Sequence, residues 1–415
     1  MHLSEFQQPA AFRSGGWIRK AGTLLSRLMA ALPLLVSVAG CQERLTKEEA
    51  TLPFVFRSLQ LSQNDSNGRP AWTLNSPEAR YDITRRLAQA RQLRGTLYAE
   101  GRPAYQLSAR SAVVLADGAL IQFEGQVRLK RLGPEPLLIS AERLRWYSRE
   151  ARMELDLRPV ATQRDLTLSS EKALFLIDRE LLRLQGRPRI QRVASASSGS
   201  ASKTQEMLTI EASSADWFPS SGKLEATGPI QARRIFRGPD GAVQTLTSSS
   251  LRGNTLSQKL VLASPVRFQD PGASAQLDAA ETHLDLQREQ ASSTKPFKGT
   301  IGRLTIQGQG FVLHQPGTVA LIPKGCRLRQ PGEVLSADRC RWNWTTQALE
   351  ATGNVELQRQ ASDQTTRASR LDGRMGESGT VVFTSPGGRV NTRLRLQEQP
   401  APGRPRSKEE FPVRM

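Results

Sequence analysis

The residue types that carry most enzyme chemistry are few and scattered in this chain of 415 residues, which holds 3 histidines and 3 cysteines. His2 lies in a leader-like segment, and His283 and His314 have no cysteine or acidic cluster beside them. Neither a tetrahedral zinc site nor a facial triad can be built from that set, so no metal is expected. Gly308-Gln309-Gly310 is a lone GxG without a third glycine or a strand–helix–strand setting, and no cofactor motif accompanies it. No GxSxG or Cys/His arrangement occurs. Glu142, Asp156 and Asp216 are single carboxylates, whereas glycosidic chemistry needs an acid and a base on one face. The chain reads as a protein that is not an enzyme and has no cofactor.

The cysteines have other uses. Arg13, Arg19 and Lys20 form a positive start, and Leu28 to Val38 is an apolar stretch too short to cross a bilayer. It runs into Val38, Ala39, Gly40 and Cys41, small residues before a cysteine that resemble a bacterial lipobox. Residues 1–40 are thus expected to be a signal peptide and Cys41 a lipidation site; a plain secretory peptide with an incidental cysteine is the other reading. Cys326 and Cys340 flank the Pro331-Gly332 turn, and an exported chain can oxidise them to a disulfide.

Charge narrows the surroundings. The chain carries 58 Lys plus Arg against 39 Asp plus Glu, a net of +19, and only 11 of the 58 are lysine. Removing the leader takes away four cations and one acid and leaves +16. Guanidinium groups pair bidentately with phosphate, which suits an anionic membrane surface or phosphorylated lipid, although base composition of the genome would also enrich arginine. Even spreading without interleaved aromatics speaks against nucleic acid.

From about residue 107 a pattern returns roughly every 30 residues. Small residues recur at Ala109, Ala141, Ser170, Ala212, Ser248 and Ala337. Sixteen residues later come Gly125, Gly186, Gly228, Ser264 and Gly353; the Ala141 unit instead places Arg158-Pro159 there. The second half of each unit alternates with a period of two, the mark of a strand with one apolar face. The rows are Ile121, Phe123, Val127, Leu129; Leu182, Leu184, Ile190; and Leu260, Leu262, Val266, Phe268. Asp117-Gly118, Asp178-Arg179, Ser221-Gly222 and Asn254-Thr255 fall at the midpoints as turns. Each unit is therefore a hairpin, and the two small residues should lie directly opposite one another.

Stacked hairpins would align Ala109, Gly125, Ala141, Gly186, Ala212, Gly228, Ala337 and Gly353 into a crease. Trp146 follows Ala141 by five residues, and Phe175, Trp217, Leu284 and Trp342 repeat that offset. This odd step predicts a bulge in the first strand of each unit. The predicted fold is all-β, an open, creased antiparallel jellyroll of repeated hairpins. Its trough would be lined by the rows above together with Trp146, Leu155 and Phe175. The predicted organisation is a signal peptide with lipobox at 1–40, a tether at 41–52, and repeat blocks at 53–193, 207–286 and 300–398. Flexible loops are expected at 194–206 and 287–299, and a flexible tail at 399–415. An opening hairpin is preferred to a helix over Ala79 to Arg102.

Leu107 to Leu129 (LSARSAVVLADGALIQFEGQVRL) and Leu138 to Leu157 (LISAERLRWYSREARMELDL) resemble the LptC family and its OstA-like relatives LptA and the N-terminal domain of LptD. The resemblance implies an open β-jellyroll of the OstA-like, "β-taco" kind that carries lipopolysaccharide or a related glycolipid through the periplasm. It also implies edge-strand pairing with other OstA-like proteins and an inner-membrane ABC transporter as partner. Two departures stand out: this chain is about twice the usual length, and it has a lipobox where the family keeps a transmembrane helix. The same rows also fit a closed sandwich core, a surface scaffold or adhesin, or a polysaccharide-acting β-repeat enzyme.

Overall fold

The computed structural model describes residues 54–194, 206–236, 243–374 and 380–395. The leader, Cys41, the 41–52 tether, most of the 194–206 segment, the Gly238 to Gly241 turn and the 399–415 tail lie outside the described residues. The described part is one antiparallel sheet of 32 strands with three short 3-10 turns. The alternation over Leu120–Arg131 explains why: Ile121, Phe123, Val127 and Leu129 are buried, and the residues between them face outward.

The sheet is folded along one line into two leaves. Ten long strands cross that line, among them Leu87–Ala99, Arg102–Leu115, Lys223–Phe236 and Ala348–Arg359, and the shorter strands belong to one leaf each. Leu120–Arg131 shows the split: its first half pairs with the strand end Arg143 to Tyr147, and its second half with Leu138 to Ala141. The turn side of the units forms one leaf, here leaf A, and the opposite ends form leaf B. Leu87–Ala99 pairs with Glu78–Asp82, so the opening segment is a hairpin and not a helix.

The crease differs in two ways from the sequence expectation. Ser108 pairs with Arg128 and Ser111 with Glu124, so two residues on the first strand face three on the second. The extra residue is on the glycine-bearing strand, and the same holds at Thr352/Val355 and Thr227/Ile230. The small residues are consequently not directly opposite. Gly186 faces Glu171, Gly228 faces Ser213 and Gly353 faces Asp338, each one residue past the small position. Counting outward from a turn assumes an unbroken ladder, and the bulge shifts that count by one.

The backbone gives the reason. Gly125 and Gln126 (φ +74° and +51°), Gly186 and Arg187 (+72° and +53°), and Gly353 and Asn354 (+76° and +45°) are successive left-handed residues that turn the strand from one leaf to the other. Glycine enters that region without the Cβ penalty. In the exceptional unit Leu157 (+59°) and Arg158 (+62°) hold the same bend without a glycine. The expected flexible loop at 287–299 is also corrected: Gln290–Ile301 is a strand paired on both sides. Its polar sequence follows from the same architecture, since Ser293, Thr294, Lys295 and Pro296 are the crease of that strand.

Candidate functional site: an apolar trough

Between the leaves the sequence-identified rows come together. Ile121, Phe123, Val127, Leu129, Trp146, Leu155, Phe175, Leu182, Leu184, Ile190, Leu260, Leu262 and Val266 are all buried in one continuous core that runs from Trp72 to Val266. Phe268 is only half-buried. A second core runs from Ile306 to Leu371. Between the two, Leu277, Leu284 and Phe297 are half-buried like Phe268, and smaller residues such as Ala279, Thr282 and Ser293 stand where aliphatics stand elsewhere. The inward residues are only partly buried there.

Trp72, Leu74, Leu107 and Phe311 also line the interior. The 30-residue register misses Trp72 and Leu74 because they precede it, although the alternation of Trp72, Leu74 and Ser76 would have shown them. Trp72 and Trp146 meet edge to face at 5.6 Å. The indole of Trp72 donates to Gln63 Oε1 at 2.9 Å and that of Trp217 to Thr255 Oγ1 at 3.3 Å. Trp146 and Trp342 bury their indole N–H groups without an acceptor. Each such donor costs about 1–3 kcal/mol.

At the mouth the leaves meet through side chains, with no backbone ladder between their free rims among the described residues. Tyr105 on leaf B donates its hydroxyl to Glu180 Oε1 at 3.0 Å. Arg131 on leaf B donates to Ser220 Oγ at 2.6 Å and sits 3.7 Å from Glu180, and Ser220 donates to Glu180. Burial and the Glu180 carboxylate push the Tyr105 phenol well above its ordinary range, so it stays protonated as a donor. The expectation of an open mouth is thus refined to an open backbone latched by side chains.

The disulfide joins Cys326 to Cys340 with Cα atoms 5.9 Å apart. It is not a cross-strand pair about the Pro331-Gly332 turn: Cys326 stands opposite Ala337, and Cys340 opposite Ala351 and Ile322 in the other leaf. The bond therefore bridges the crease. The single carboxylates are in ion pairs, Asp156 and Asp216 on the outer face of leaf A and Glu142 at the crease. Asp156 lies 3.0 Å from Arg145, Asp216 lies 2.8 Å from Arg183, and Glu142 lies 4.0 Å from Arg158. No group of three His, Cys, Asp or Glu residues able to hold a metal occurs among the described residues. No helix there is long and apolar enough to cross a membrane.

Residues 25–151 match the family model described as lipopolysaccharide-assembly, LptC-related. Among solved structures, one similar chain is LptH from Pseudomonas aeruginosa, described as the LptA homologous periplasmic component of the lipopolysaccharide transport device. The identity is 14%, the match covers 36% of this chain and 93% of that one, and the TM-score is 0.24. No curated protein matches. The match to the LptC-related family of lipopolysaccharide-assembly proteins thus covers residues 25–151, about a third of the chain.

Proposed function

We propose that this protein is a non-enzymatic periplasmic component of lipopolysaccharide transport that holds the acyl chains of a glycolipid between its two leaves. The observation that carries this reading is the apolar lining, in two successive cores, of a sheet whose four end strands, Phe54–Phe56, Leu59–Asn64, Val381–Thr384 and Asn391–Arg393, are each paired on one side only among the described residues. Burying hydrocarbon gains about 0.8 kcal/mol per CH2. When an acyl chain enters, the side chains it displaces trade contact with each other for contact with the chain, so the gain from removing the acyl chain from water is largely kept. The stretch at Phe268, Leu277, Leu284 and Phe297, where the inward residues are only half-buried, is the natural point of entry. The unpartnered N–H groups of Trp146 and Trp342 would donate to a hydroxyl or carbonyl oxygen on the chain.

The end strands supply continuity. Among the described residues Phe54–Phe56 is paired on one side only, with Phe54, Val55 and Phe56 exposed, and such an edge is ready to pair with another sheet of the same kind. Cys41, if lipidated, tethers this end to a membrane, and an inner-membrane ABC transporter is the partner that would load the trough.

Photocrosslinking in cells tests the reading. A photoreactive residue at Phe123, Leu184 or Leu262 should capture glycolipid, and one at the outward Gln122 should not. Adducts at none of the inward positions would reject the carrier and leave a scaffold.

A further inference from the structure

The outer faces of the two leaves differ electrically. Leaf A carries both signs, in ladders such as Arg143–Asp156, Arg145–Glu154, Arg152–Glu154 and Arg183–Asp216. On leaf B no strand segment from Leu59–Asn64 to Arg189–Ala194 contains an aspartate or glutamate. The acids of this part of leaf B sit in the turns, and three of them are already paired: Asp65 with Arg69, Glu135 with Arg164, and Asp165 with Arg192.

The cations left over are gathered. Register places Asn75, Arg94, Ser108 and Arg128 side by side in one outward row, and Thr96, Gln106 and Lys130 in the next. With strands about 4.8 Å apart, Arg94 and Arg128 stand roughly 10 Å apart on either side of the short Ser108 side chain. Arg94, Arg128 and Lys130 are exposed, and their side chains have no ion pair or hydrogen bond among the described residues. Small Ser108 between two long arginines leaves a depression of about 770 Å³, walled on one side by Pro136, Leu137 and Arg164. Neutral donors line it: Asn75, Thr96, Gln106, Ser108 and Thr162.

We propose that this face binds the phosphate groups of anionic lipid headgroups at a membrane surface. An array of guanidinium and amide donors without a competing carboxylate is what phosphate oxygens require, since each arginine offers a planar fork of N–H donors. A zwitterionic or neutral surface offers no compensating charge. The patch lies among the first strands after the Cys41 segment, at the end of the sheet that a tether would hold near a bilayer. This patch is on the outer face of strands whose inner face lines the trough, so lipid headgroups could bind it whether or not the trough holds acyl chains.

Flotation of the purified full chain with vesicles tests it. The wild type should bind phosphatidylglycerol-containing vesicles and release phosphatidylcholine vesicles. The double variant Arg94→Gln/Arg128→Gln should lose roughly tenfold or more in affinity, the scale of removing charge-assisted hydrogen bonds. Arg327→Gln/Arg329→Gln removes the same charge from exposed arginines on another strand. It should change affinity less than about twofold, as expected for exposed charge acting only at long range. Equal losses in the two variants would overturn the proposal in favour of diffuse attraction to a basic protein. Full displacement of vesicles by inorganic phosphate at micromolar concentration would overturn the membrane source in favour of a free-anion site. Circular dichroism should show the same strand signal in both variants.

Discussion

At the residue scale the crease rests on left-handed positions where a side chain is expensive. A Cβ at Gly186 would lie 2.7 Å from the Glu171 Cβ, at φ +72°. Gly186→Val should therefore cost about 2–4 kcal/mol, read as a lower urea midpoint, because a β-branched residue is both strained and crowded there. Gly68→Ala is the contrast, since Gly68 has φ +73° and nothing within 4 Å of its added Cβ. That change should cost only about 1–2 kcal/mol, the left-handed penalty alone. The spacing of Gly125, Gly186, Gly228 and Gly353 made the crease legible in the sequence. Their partners were not legible, because a bulge changes register without changing composition. Leu157 and Arg158 were hidden further: nothing in those residue types announces a left-handed bend.

At the scale of elements, alternation of apolar and polar residues identified the strands wherever one face is greasy. It failed over 290–301, where the inward positions Ala291, Ser293, Phe297, Gly299 and Ile301 include three small residues and the crease is Ser-Thr-Lys-Pro. Backbone pairing with both neighbours holds that strand, and backbone pairing leaves no mark on side-chain type. The two cysteines were legible as a pair, but the bridge across the crease needed the split of the Cys326–Gln330 and Arg339–Asn343 strands into different leaves. The loop it closes has a sequence separation of 14. Its loss should cost about 3 kcal/mol by the chain-entropy argument. Urea unfolding of the wild type with and without a reductant should show that shift, and Cys326→Ser/Cys340→Ser should match the reduced protein. A reductant-insensitive midpoint would contradict a bridge that stabilises the second core.

For the whole molecule, the described sheet is a creased ribbon whose interior is apolar along two successive cores and whose outer faces differ in charge. Composition had hinted at this: 38% hydrophobic residues and a large arginine excess fit strands with one apolar and one polar face. The latch at the mouth was not legible, because Tyr105, Arg131, Glu180 and Ser220 come from separated parts of the chain that only the fold brings together. The central claim is that these leaves part to admit acyl chains. Spin labels at Pro134 on the leaf B rim and Asp178 on the leaf A rim, both exposed, report the width of the mouth directly. Added lipopolysaccharide should lengthen the distance measured by pulsed electron resonance, and Glu180→Gln should make that opening easier by weakening the latch. An unchanged distance in protein shown to have lipopolysaccharide bound would contradict the account.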